Sequence, residues 1–252
     1  MNRTQLLFTL LTAGIAFSGC EEVTPEPPVT VDEVKEIDFQ FTHSVNGEEL
    51  VFDTKYFDLP DGSTVNSTRI SYIMSKFYLV DENDQKVTFN DQYALLMPKL
   101  GYNNFILKDV PKGNYKAIGF TLGLDSAVNH GDPSQYPVTH PLSPSNNSLF
   151  WNWAGGYVFL ALEGFFEGTN DSYIFHIAGS NNKVEYEFPL NFVKSEAAMQ
   201  ADVEFKLEEC FQNPSVYDMD VDGKSTHNID DAVTKKIVAN LSTLFTINGI
   251  HE

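Results

Sequence analysis

The sequence predicts an all-β chain: an antiparallel β-sandwich with a long central loop and one C-terminal helix. Three observations predict it. Short runs of alternating apolar and polar residues recur along most of the chain, separated by Gly, Pro, Asn and Asp turns. Twenty Phe and eleven Tyr supply large rings for a core. Only one late segment has a convincing helical period, and many strands with one helix argue for a sandwich.

The elements follow in order. "IDFQFTH" alternates, with Ile37, Phe39, Phe41 and His43 on one face. The Asn-Gly of "NGEEL" then reads as a hairpin turn. "RISYIMSKFYLV" (69–80) is a longer strand, and the polar turn "DENDQK" leads into "VTF". "QYALLMP", "NNFILKDV" and "NYKAIGFTLGL" continue the series. From Asp125 to Asn147 the period stops, and a long loop of this kind inside a domain is usually functional or disordered. Strands resume with "SLFWNWAGGYVFLALEG", "SYIFHIAG", "KVEYEFPL" and "ADVEFKLEEC". The helix is expected from about Ile229 to Leu241, with Asp230 and Asp231 at its positive end.

The first 20 residues read as a lipoprotein signal. Arg3 precedes an apolar stretch too short to span a bilayer, and "FSGC" puts small residues directly before Cys20, the expected lipidation site. Residues 21–36 are acidic and proline-rich and read as a tether. Acidic residues after such a cysteine resemble the surface-export signal of Bacteroidetes lipoproteins. The expected location is the outer membrane or cell surface, lipid-anchored, with the periplasmic face an alternative. The rest, 37–252, reads as the folded domain.

Removing Arg3 with the signal leaves 15 of the 16 basic residues against 35 acidic ones, a charge near −20. That field repels nucleic acid and anionic lipid. Cys210 has no partner once Cys20 is lipidated, so the core must hold the fold.

Catalytic motifs are absent: there is no G-x-S-x-G, P-loop or G-x-G-x-x-G. Cys210 follows Glu208 and Glu209, which disfavour its thiolate. A non-enzymatic role is expected, with a hydrolase kept only as a distant reading. Leu149, Trp151 and Trp153 share a face if their segment is one strand, which makes them core residues first and site-lining residues second. Gly155-Gly156 then marks a bulge or a close backbone approach.

Among six histidines, His43 points inward by phase, and a buried imidazole needs a partner such as a carbonyl or a metal. His176 ends a strand beside small residues, where a ligand can approach. His130 and His140 lie in the loop, and His227 lies before the helix. None shows the close spacing that puts two ligands on one element. "DMDVDG" places Asp218, Asp220, Asp222 and Gly223 like the first half of a calcium loop, but Ile229 stands where its final acid belongs. An acidic turn is the simpler reading, with adventitious calcium second.

Four blocks together resemble the MbnP family: "YIMSKFYLVDENDQK", "GNYKAIGFTLGLDSAVNHGDP", "SLFWNWAGGYVFLALEG" and "FHIAGS". This family of secreted or lipid-anchored proteins is associated with copper and related to copper-repressed surface proteins of methane-oxidising bacteria. The resemblance implies a copper-binding β-sandwich rather than an enzyme. It implies histidine ligands from separate strands, here His43 and His176 with His130 a third candidate. It also implies a tryptophan, Trp151 or Trp153, oxidised to kynurenine by a di-haem cytochrome c peroxidase-like partner. The rival expectation is a surface module that binds a glycan or a protein without metal.

Overall fold

The computed structural model describes residues 35–152 and 155–252. The signal, Cys20, most of the tether and Trp153 lie outside the described residues. Lys35 and Glu36, assigned to the tether by sequence, already bond to the domain: their carbonyls accept the amides of Val110 (2.9 Å) and Met199 (3.4 Å).

The first strands are β1 (Ile37–Val45), β2 (Glu48–Glu49), β3 (Phe57–Asp58), β4 (Thr64–Val65) and the long β5 (Arg69–Asp81). Next come β6 (Lys86–Phe89), β7 (Ala94–Leu96), β8 (Asn104–Leu107) and β9 (Gly113–Leu122). Helical turns α1 (Ser126–Asn129) and α2 (Pro144–Asn147) precede β10 (Phe150–Asn152) and β11 (Gly156–Phe165). Then follow β12 (Ser172–Ala178), β13 (Val184–Lys194) and β14 (Met199–Lys206). The chain ends with α3 (Met219–Asp222), β15 (Ser225–Thr226), α4 (Ala232–Asn240) and β16 (Phe245–His251).

These strands form the expected sandwich. The small sheet runs β16-β14-β1-β2, with β8 also on β1. The large sheet runs β13-β9-β5-β11-β12-β15, with β6 and β7 on β5 and β10 on β11. Two pairings are parallel, β1 with β14 and β12 with β15. A parallel pair needs a long crossover, so neither follows from local sequence. The Asn46-Gly47 turn forms as predicted, with φ of 52° and 76°. Both residues take the left-handed conformation that such a hairpin turn requires.

Rings fill the space between the sheets. Phe39 meets Phe77 edge-on at 5.6 Å, and Tyr72 stacks on Phe205 at 5.2 Å. The alternation of β1 holds: Ile37, Phe39, Phe41 and His43 are all buried. The helix starts later than expected. Asp231 caps α4 by accepting the Thr234 amide at 2.7 Å, which sets the boundary. Among the described residues α4 is the only α-helix longer than four residues.

The expected aperiodic loop, Asp125 to Asn147, is instead ordered and continues through Leu149 as a covering 125–149 segment. It holds α1, α2 and a 3₁₀ turn at Pro133–Gln135. It also covers the outer face of the large sheet, where Leu124, Leu142 and Leu149 pack with Ile73, Tyr157, Phe159 and Ala161 as a second core. Buried amides replace periodicity as the fixing device. Asn129 Oδ1 accepts the Tyr157 amide at 2.8 Å. Asn147 Oδ1 accepts the Leu149 amide, and its Nδ2 donates to the Pro141 carbonyl, both at 2.8 Å. Tyr157 Oη donates to the Leu142 carbonyl at 2.6 Å.

The tryptophan segment is a hairpin, not one strand: β10 pairs antiparallel with β11. Gly156 stands at the start of β11. At Gly156, with φ of 72°, an added Cβ would lie 2.4 Å from Asn129 Oδ1. A close backbone approach, one of the two expected roles, is therefore present.

Asn147 is fully buried, so Asn147→Ala strands two backbone groups without partners. We expect a loss of about 1–3 kcal/mol in unfolding free energy, read by urea denaturation. A loss below the error of that measurement would mean that these bonds do not hold the segment.

Candidate functional site

Strand alternation decides which histidines can meet. Tyr72 on β5 pairs with Leu160 on β11, and Leu160 with Ile177 on β12. These three side chains lie in the main core. Their neighbours Ser71, Ala161 and His176 also pair across the same strands and so point to the opposite, outer face.

His43 belongs to the inner face. Its Nε2 hydrogen-bonds Tyr72 Oη at 3.0 Å, and its ring lies 5.3 Å from Phe205. Burial drives its pKa down to about 4, so it is neutral at ordinary pH. Burial likewise raises the Tyr72 phenol. The structure therefore does not bring His43 and His176 together, because the large sheet stands between them. His130 ends α1 as an exposed residue and joins neither. His140 stacks on Tyr136 at 4.4 Å, within the covering segment.

The residue that does meet His176 is His227, which no motif or spacing singled out. β15 runs parallel to β12 with Phe175 opposite Thr226, and this delivers His227 to the outer face. The two imidazoles cross at 76° with centroids 4.8 Å apart. Trp151 stands beside them, 6.1 Å from His227 and 37% exposed. The expected core role therefore fails for Trp151, because its strand is the outer arm of a hairpin. Trp151, His176, His227 and Arg69 line one pocket of about 250 Å³.

One further residue, Glu163, joins two of these lining side chains. Glu163 Oε1 lies 2.9 Å from His176 Nε2 and 2.9 Å from Arg69 Nη1. Burial alone would raise the Glu163 carboxyl, but the His176 hydrogen bond and the Arg69 charge bring it below its ordinary value. Burial lowers His176, and the pull of Glu163 opposes this without cancelling it.

The acidic turn, the simpler of the two expectations for this segment, is bonded within itself and to lysines. Asp218 Oδ1 accepts the amides of Asp220 and Val221, both at 3.0 Å, as the cap of α3. Asp220 pairs with Lys224 at 3.1 Å, and Asp222 with Lys236. The carboxylates are thus committed to amides and lysines rather than converging on an ion. Among the described residues no group of three or more His, Cys, Asp or Glu is arranged to hold a metal. Cys210 is buried, and burial raises its thiol far above the ordinary value.

The MbnP family model matches residues 34–246. The chain belongs to the MbnP family. The structure also resembles MbnP from Methylosinus trichosporium, with a TM-score of 0.53 and 16% identity. The match covers 85% of this chain and 98% of that one, and at this identity it speaks for the shared fold. No curated protein matches the chain.

Unfolded His43 titrates near 6.5 and folded His43 near 4, so the unfolded chain binds more protons between these values. Stability should rise with pH across that window, by about 3 kcal/mol from this residue. Urea unfolding at pH 7 and pH 4.5 should show a smaller drop for His43→Phe than for the wild type. Equal drops would refute the assignment. Millimolar calcium should leave the melting temperature unchanged, since Asp218 and Asp222 are already bonded.

Proposed function

We propose that this chain is an extracytoplasmic copper-binding protein, with His176 and His227 as the ligands from protein imidazoles. The observation that carries this reading is their meeting at 4.8 Å from separate strands, beside Trp151. Two imidazoles that share one ion, each about 2 Å from it, hold their centroids about 5–6 Å apart. Small ring rotations reach that separation from 4.8 Å.

The donor set favours copper over zinc. Structural zinc wants four protein ligands. Imidazole suits copper as it does zinc, so the preference rests on the small number of ligands and on the family. The bound ion would supply redox or cargo chemistry. The chain's own residues would hold it, and the 125–149 segment would restrict water on one side. A role as a binding protein rather than a catalyst belongs to this reading. Anchoring through Cys20 at the outer membrane or cell surface, and service by a di-haem peroxidase-like partner, rest on the sequence resemblance alone. The copper association of the MbnP family supports the choice of metal.

The glycan-binding alternative prefers tryptophan rings side by side on a flat face. Trp151 instead stands at a pocket containing two imidazoles, which favours the metal.

Purified protein loaded with Cu(I) should hold about one ion per chain. His176→Ala combined with His227→Ala should abolish that, while His43→Ala should keep it. Retention of the ion by the double variant would sink the proposal.

A further inference from the structure

We infer that the Arg69–Glu163 pair is a positioning device for His176: it holds the imidazole as the Nε2–H tautomer and leaves Nδ1 as the ligand nitrogen. This rests on the metal reading above, but its first test needs no metal.

Arg69 and Glu163 stand directly opposite on β5 and β11. His176 lies one step diagonally away, since Ala161 is its direct partner and Ile174 is that of Glu163. Long side chains reach across such a diagonal. The small Ala161 leaves room for the ring opposite it.

A carboxylate oxygen held by a guanidinium is an acceptor only. Glu163 Oε1 is 2.9 Å from His176 Nε2, so the proton of that hydrogen bond must come from the imidazole. A neutral imidazole has one N–H, and its lone pair then resides on Nδ1. Ligation through Nε2 would break the bond to Glu163, whereas ligation through Nδ1 keeps it. A carboxylate behind a ligating histidine fixes both its tautomer and its orientation.

Arg69 has more to do than hold one acid. The chain contains only two arginines, Arg3 and Arg69. Arg69 uses its fork in three directions: Nη1 to Glu163, Nε to Ser71 Oγ at 3.3 Å, and Nη2 to the Ser148 carbonyl at 3.4 Å. Ser148 has φ of 50° and leads into β10, which carries Trp151. One guanidinium thus ties the imidazole and the tryptophan strand to the same sheet. A lysine, as a point charge, would not span these acceptors.

The deciding measurement is a long-range ¹H–¹⁵N spectrum of metal-free protein at neutral pH, with His176 assigned through His176→Ala. The wild type should show the Nε2–H tautomer. Glu163→Ala should shift His176 toward a mixture and weaken Cu(I) binding by about 10–100-fold. Glu163→Gln keeps an acceptor oxygen, so it should retain the tautomer and most of the affinity. An Nδ1–H tautomer in the wild type would overturn the inference, as would Cu(I) affinity in Glu163→Ala within about twofold of wild type. If Glu163→Ala does not fold, the wild-type spectrum and Glu163→Gln decide. Failure of the metal reading appears separately, as copper retained without His176 and His227.

Discussion

The structure depends on the alternation of side chains in a sheet that is buried on both faces. The large sheet meets the small sheet on one side and the 125–149 segment on the other. Most buried residues of β5, β11 and β12 must therefore suit one of two cores. Tyr173, Phe175 and Ile177 go inward, and Ile174 and His176 go outward. A slip of one residue would put His176 among the rings and Phe175 in the pocket. Two cores penalise that slip at once, and this gives His176 a fixed address.

The covering segment shows how a sequence without period can still be ordered. Leu142 and Leu149 supply apolar contact, but buried Asn129 and Asn147 do the placing. Their amides satisfy backbone groups that neither strand nor helix would reach. The cost of burying them is offset only if every bond forms, so the segment has one arrangement. That arrangement aims β10, and with it Trp151, at the histidine pair.

Charge acts locally against an acidic background. The chain has 35 acidic and 16 basic residues, and most lysines pair with surface acids. Such exposed pairs contribute little to stability. Arg69, Glu163 and His176 are more enclosed, with side chains 30%, 28% and 20% exposed. Reduced screening makes their contacts more specific than those of the surface lysines. His43 and Tyr72 form a separate inner polar pair, each ring being the partner of the other, which explains a buried histidine without any ion.

By itself the sequence determined the long alternating strands, the Asn46-Gly47 hairpin, the inward phase of β1 and the presence of one late helix, because each depends on neighbours within a few residues; it missed β3, β4, β15 and β16 and read the β10–β11 hairpin as one strand. It also marked His176 and the tryptophan pair through blocks that resemble MbnP. The partner of His176 was not legible. His227 reaches the site through a two-residue parallel strand, and Glu163 and Arg69 through register between strands nearly a hundred residues apart. His43, chosen by the same resemblance, shares no surface with them. Periodicity says that a side chain leaves one face of a strand, but only the packed sheets say what that face meets.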